Sequence, residues 1–142
     1  MAKAKPISMT ATVKATPSEV FTALTDSKTI HRWSGQKGTV QPKIGGKFEF
    51  FDGWVKGKVL AYEKGKTVSY TWHTADMKNE VEPSIVRFTL SSSKWGTKIS
   101  LKHSGLPDEK SRKEHQGGWT EFVFDPLKEF FGPQEPGTTS LR

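Results

Sequence analysis

The sequence predicts an α+β domain: a curved antiparallel sheet of about six strands wrapped around one long C-terminal helix, with two short helices after the first strand. Three observations carry this. Apolar residues alternate with polar ones along several short segments separated by turn residues, which is the period of half-buried strands. A capping-box signature, Thr16-Pro17-Ser18-Glu19, follows the first of those segments. The stretch from Asp108 to Phe131 is apolar along a single stripe, so it can cover one face of a sheet.

Taken in order, Ile7, Met9, Ala11 and Val13 share one face of a first strand. Thr16 then caps a helix that opens at Pro17, with Val20, Phe21 and Leu24 on its apolar side; Thr25-Asp26-Ser27 breaks it and caps a second, short helix carrying Ile30 and Trp33. Beyond the glycines at 35 and 38, Gly45-Gly46 opens a strand with Phe48 and Phe50 on one face. Asp52-Gly53 is a two-residue hairpin signal leading into Trp54 to Tyr62, and Lys64-Gly65-Lys66 turns the chain again. Val68, Tyr70 and Trp72 alternate in the next strand, and a polar loop from Thr74 to Pro83 follows. Val86, Phe88 and Leu90 face one way in the strand after it; Thr97, Ile99 and Leu101 do so in the last, with His103 on their face. At about 100° per residue, Trp119, Phe122, Val123, Leu127 and Phe130 form the stripe of the final helix, with His115 at its edge. Gly117, Gly118 and Pro126 interrupt that helix, and Pro126 cannot donate to the Phe122 carbonyl, so a bend is expected near residues 122 to 126.

A chain of 142 residues can bury a core of its own, so residues 1–132 are read as one domain with a flexible stretch at 1–6 and a disordered tail at 133–142. The absence of cysteine removes disulfides, thiolate metal sites and thiol nucleophiles and suits a reducing compartment. No apolar run has the length of a membrane span, and no apolar segment follows the basic N-terminus; a cytoplasmic, monomeric protein is expected. The net charge of +7 comes from scattered lysines without a basic block, which argues against nucleic acid as a partner.

Several stretches together resemble the Activator of Hsp90 ATPase homologue 1-like domains, within the START-like (SRPBCC, Bet v 1-like) superfamily. They are Ala15-Thr-Pro-Ser-Glu-Val-Phe-Thr-Ala-Leu-Thr-Asp26, Ile30 with Trp33, Gly45-Gly-Lys-Phe48, Asp52-Gly53 followed by Gly57-Lys-Val59, Lys66-Thr-Val68 with Trp72, and Val86-Arg-Phe-Thr-Leu90. The most specific are His103-Ser-Gly-Leu-Pro107 and His115-Gln-Gly-Gly-Trp119. The resemblance spans roughly Met9 to Phe131. It implies the helix-grip fold and, for single-domain members, either binding of apolar small molecules or a co-chaperone-like, stress-related role. Gly118-Trp119 matches the family's pattern and is expected to let the helix approach the sheet closely.

A bent sheet held off by one helix leaves room that side chains fill incompletely, and aromatic walls with a few polar groups describe small-ligand sites. The expected wall comprises Trp33, Phe48, Phe50, Tyr70 and Trp72 together with Phe88, Trp119 and Phe122. His103 and His115 are expected in the same wall, as its partly buried hydrogen-bonding groups. The predicted occupant is an apolar or amphipathic small molecule. A protein interaction with an Hsp90-type chaperone is the alternative, and a polyketide cyclase- or dehydratase-like enzyme the second alternative. No catalytic residue, metal ligand or cofactor site is assigned: the four histidines lack metal-ligand spacing, and neither the nucleophile-elbow nor the phosphate-loop pattern occurs. His73 and Asp76, at a strand end and in the following loop, read as solvated polar residues.

Overall fold

A computed structural model describes residues 3–132, so the tail expected at 133–142 and the first two residues lie outside the described residues. The chain forms β1 (Ile7–Val13), α1 (Pro17–Thr25), α2 (Ser27–Ser34), β2 (Thr39–Val40), β3 (Lys47–Phe50), β4 (Val55–Glu63), β5 (Thr67–Thr74), β6 (Ser84–Ser93), β7 (Gly96–Ser104), α3 (Glu109–Trp119) and α4 (Asp125–Phe131). Within the stretch expected to be flexible, Ala4 donates its amide to the Leu106 carbonyl at 3.1 Å.

Both early helices start where their caps dictate. Thr16 Oγ1 accepts the Glu19 amide at 3.1 Å while a Glu19 carboxylate oxygen accepts the Thr16 amide at 2.9 Å, satisfying two donors that the first turn would leave orphaned. Asp26 accepts from both the amide and the hydroxyl of Thr29, and those hydrogen bonds hold its carboxyl below the usual carboxylate range.

The sheet has seven antiparallel strands in the order β1-β7-β6-β5-β4-β3-β2, one more than the expected six or so. The additional strand is β2, whose two residues pair with Phe48 and Glu49 and are too few to show a period. Because β1 pairs with β7, the chain's first strand lies beside its last, and α1 and α2 carry the chain from one edge of the sheet to the other. β6 alternates strictly, with Ser84, Val86, Phe88 and Leu90 buried and Ile85, Arg87 and Thr89 exposed. A register shift between Val59 and Ala61 bends the β4–β5 ladder. Close to that bend, a Cβ on Gly57 would overlap the Thr71 carbonyl oxygen, so only glycine allows the approach.

The final helix is interrupted as expected, but by a different device. Between α3 and α4, residues Thr120–Phe124 form a π-helical turn in which the Asp125 amide reaches back five residues to the Thr120 carbonyl. Backbone angles stay helical through Thr120, Phe124 and Asp125, so the helix neither ends nor restarts, and Pro126 falls in the first turn of α4. The wider turn rotates the stripe. Trp119, Val123, Phe124 and Leu127 are buried, while Phe122, expected in the stripe, is left 52% exposed. Phe130 is only partly buried, with the Arg32 guanidinium 5.3 Å from its ring centre. No described helix is long and apolar enough to cross a membrane.

Candidate functional site

The buried aromatic residues divide into a filled core and a cavity wall. In the core, Phe48 stacks on Tyr70 with ring centres 3.7 Å apart, Phe50 tilts against Phe48 at 5.1 Å, and Phe88 meets Trp119 edge-on at 5.6 Å. Trp33 packs against Phe50 and gives its indole N–H to the Ala23 carbonyl at 2.6 Å. These rings pack against one another at the middle of the sheet. Trp33, Phe48, Phe50, Tyr70, Phe88 and His103, expected as pocket wall, are buried residues that do not bound this cavity. The Tyr70 hydroxyl is buried with no hydrogen-bond partner among the described residues, and burial pushes its pKa upward.

The cavity, about 480 Å³ in volume, lies at one end of the sheet. Trp72 near the end of β5, with Trp119, Phe122 and His115 of the final helix, contributes four of the expected residues. The remainder of the wall escaped the sequence reading. Phe51 and Trp54 at the β3–β4 turn, Gln36 after α2, Asp76 after β5, and Glu114, Gly118 and Val123 on the helix complete it. Phe51 and Asp52 both adopt left-handed backbone angles, at φ 54° and 57°, where a two-residue Asp-Gly turn was expected. Asp52 is held there by exchanging hydrogen bonds with Lys37: its side chain accepts the Lys37 amide at 2.7 Å and its own amide donates to the Lys37 carbonyl at 3.0 Å. A bulky residue at positive φ stores backbone strain, which is tolerated here as the turn presents Phe51 to Phe122 with ring centres 6.5 Å apart. The only signal for this in sequence is crowding: Phe50, Phe51 and Trp54 around one Asp-Gly pair are more rings than a single strand face can bury.

Asp76, read as a solvated loop residue, stands at the cavity rim, while His73 engages the Lys78 carbonyl through Nε2 at 3.1 Å. Gly118 does not serve close helix–sheet approach as expected. A Cβ there would meet nothing nearer than Phe122 at 3.9 Å, because the residue opens onto the cavity.

A directed chain of hydrogen bonds runs behind this wall. An indole N–H can only donate. Trp119 donates to His103 Nδ1 and Trp72 donates to His115 Nε2, each at 3.1 Å, so both of those ring nitrogens are bare acceptors. The His103 proton therefore sits on Nε2 and goes to Ser84 Oγ at 2.7 Å, and Ser84 passes its own proton to the Trp72 carbonyl at 3.1 Å. The His115 proton sits on Nδ1 and goes to the Ser111 carbonyl at 2.9 Å. The two imidazoles, 5.2 Å apart between centres, are thus locked as opposite neutral tautomers. Burial pushes the His103 pKa down to about 3. With both nitrogens engaged, His115 offers the cavity a flat face rather than a free base. Among the described residues no cluster of three or more His, Cys, Asp or Glu could hold a metal ion.

A family model, "Activator of Hsp90 ATPase homolog 1-like protein", matches residues 14–132. Among solved structures, an Hsp90 activator from Plasmodium falciparum aligns with 27% identity over 93% of this chain and 100% of its own, at a TM-score of 0.82. A protein from Mesorhizobium loti aligns with 28% identity over 88% of this chain and 95% of its own, at 0.72. CalU16 from Micromonospora echinospora aligns with 26% identity over 90% and 76%, at 0.75. No curated protein matches the chain.

Proposed function

Since the chain belongs to the Activator of Hsp90 ATPase homolog 1-like family, whose model spans most of it, we propose that it works as a helix-grip container that takes up an apolar or amphipathic small molecule. The observation that carries this is the cavity itself. Its roughly 480 Å³ fall within the range of about 300–1,000 Å³ common to small-ligand sites, and its wall is aromatic with a few polar groups at the rim. The packed rings behind it make that wall rigid, so little side-chain entropy would be lost on binding.

An amide-shift titration against fatty acids, flavonoids and polyketide-like aromatics tests it. At least one class should shift Trp54, Trp72, Trp119 and Phe122 selectively, and Gly118→Leu, which places a side chain in the cavity, should abolish those shifts. Shifts confined to the outer sheet face, or none with any compound, would refute the reading.

A second reading has one specific observation behind it: the solved chain of the Plasmodium Hsp90 activator aligns over its whole length, so a chain with this fold carries that description there. Under this reading the chain engages an Hsp90-type chaperone through its basic surface. Adding it to Hsp90 should then raise the ATPase rate and shift lysine-rich surface positions, with the cavity resonances unmoved.

A further inference from the structure

Resting on the small-molecule reading, we propose that the cavity selects a cationic amphiphile, a flat aromatic body carrying an amine or ammonium group that sits at the rim between Asp76 and Glu114. The chain carries 22 lysines and arginines against 15 acidic residues, yet among the described residues no lysine or arginine lines the cavity and these two carboxylates do. Neither forms an ion pair among the described residues. The site therefore carries the opposite sign to the chain's net charge, which favours a positive group and repels a negative one.

Hydrogen-bonding capacity points the same way. The indole N–H groups of Trp72 and Trp119 are spent on His115 and His103, and both nitrogens of His115 are engaged. Among the described residues that line the cavity, only the side chains of Trp54 and Gln36 retain N–H donors, and the two carboxylates accept no hydrogen bond there. An anionic ligand would surrender hydration for too few donors. An ammonium would find acceptors at the rim and the electron-rich faces of Trp54, Trp72 and Phe122 beneath it. Because Asp76 and Glu114 are themselves exposed, the cation stays partly hydrated while the apolar body enters, which makes the ligand amphipathic rather than simply charged.

Three probes with one ring system separate charge from shape: 9-aminoacridinium, neutral acridine and acridine-9-carboxylate, titrated at pH 7.5 by calorimetry with amide shifts recorded in parallel. The cation should bind about tenfold more tightly than acridine, and the carboxylate more weakly than both. Asp76→Asn with Glu114→Gln should bring the ratio of cation to acridine affinity to about threefold or less. Equal binding of cation and acridine, or tighter binding of the carboxylate, would overturn charge selection while leaving a ligand cavity in place. Failure of all three to move Trp54, Trp72 or Trp119 would overturn both this inference and the container reading.

Discussion

Replacing His103 by glutamine should remove most of the acid sensitivity that the buried imidazole confers on the fold. In the native state its pKa lies at about 3, against 6.5 for the free side chain. Above pH 6.5 the imidazole is neutral in both states, and its contribution is fully present. As the pH falls from 6.5 towards 3, the unfolded chain binds a proton that the native chain refuses, because a protonated Nδ1 would face the Trp119 N–H in a site without water contact. Stability then declines by about 1.4 kcal/mol per pH unit, or about 2.5 kcal/mol between pH 6 and pH 4. Glutamine keeps one donor and one acceptor but cannot reach Trp119 and Ser84 together, so His103→Gln should begin about 1–3 kcal/mol less stable at pH 8. The assay is urea unfolding of both proteins at half-unit steps from pH 8 to pH 4 at constant ionic strength. The wild type's advantage should fall with the pH, by about 2.5 kcal/mol between pH 6 and pH 4, so that the two stabilities converge or cross near the acid end. Parallel curves would mean that native His103 accepts a proton at an ordinary pH, and the directed hydrogen-bond chain would then be wrong.

Gly57→Ala should cost at least about 3 kcal/mol and disturb the β4–β5 register, seen as lost amide protection at Lys58 and Val59, because its Cβ has no space beside the Thr71 carbonyl. Gly117→Ala, where nothing lies within 4 Å, should instead raise stability by about 0.5–1 kcal/mol in thermal or urea unfolding without altering ligand uptake. Phe51→Asn keeps a residue tolerant of the left-handed backbone but removes a ring from the cavity wall; ligand affinity should fall several-fold while stability changes by less than about 1 kcal/mol. Trp72→Phe should cost about 1 kcal/mol through the lost N–H bond to His115, and free the His115 Nε2, visible as a changed imidazole nitrogen shift.

Much of the fold could be read from local pattern. Thr16 with Glu19 and Asp26 before Ser27 each satisfy backbone donors within a few residues, so their consequences do not depend on the rest of the chain. Strand faces were equally legible, since side chains alternate whatever the partner strand, and Val86, Phe88 and Leu90 point inward as the period requires. That the last helix would be irregular near residues 122 to 126 was legible from Pro126, which has no amide proton wherever it sits, but the π-helical form of the irregularity was not.

The cavity was legible only in part. Periodicity assigns a residue to a face but does not say how far along the strand the facing helix stays in contact. Phe48, Tyr70 and Phe88 share the inner face with Trp72, yet packing closes over the first three and opens beside the fourth. A single π-helical turn put Phe124 inward and Phe122 at the cavity mouth. Phe51 and Trp54 reach the wall through a turn whose backbone is held by Lys37, fifteen residues from Asp52 in the chain. The two histidine tautomers depend on indole donors and acceptors brought together from β5, β6, β7 and α3. What the sequence alone determined was therefore the caps, the strand faces and the site of the helix irregularity, all set by forces acting within a few residues. Which rings fill the interior, which bound the cavity, and where the histidine protons lie were decided by tertiary packing, because those depend on distances between segments that no local period encodes.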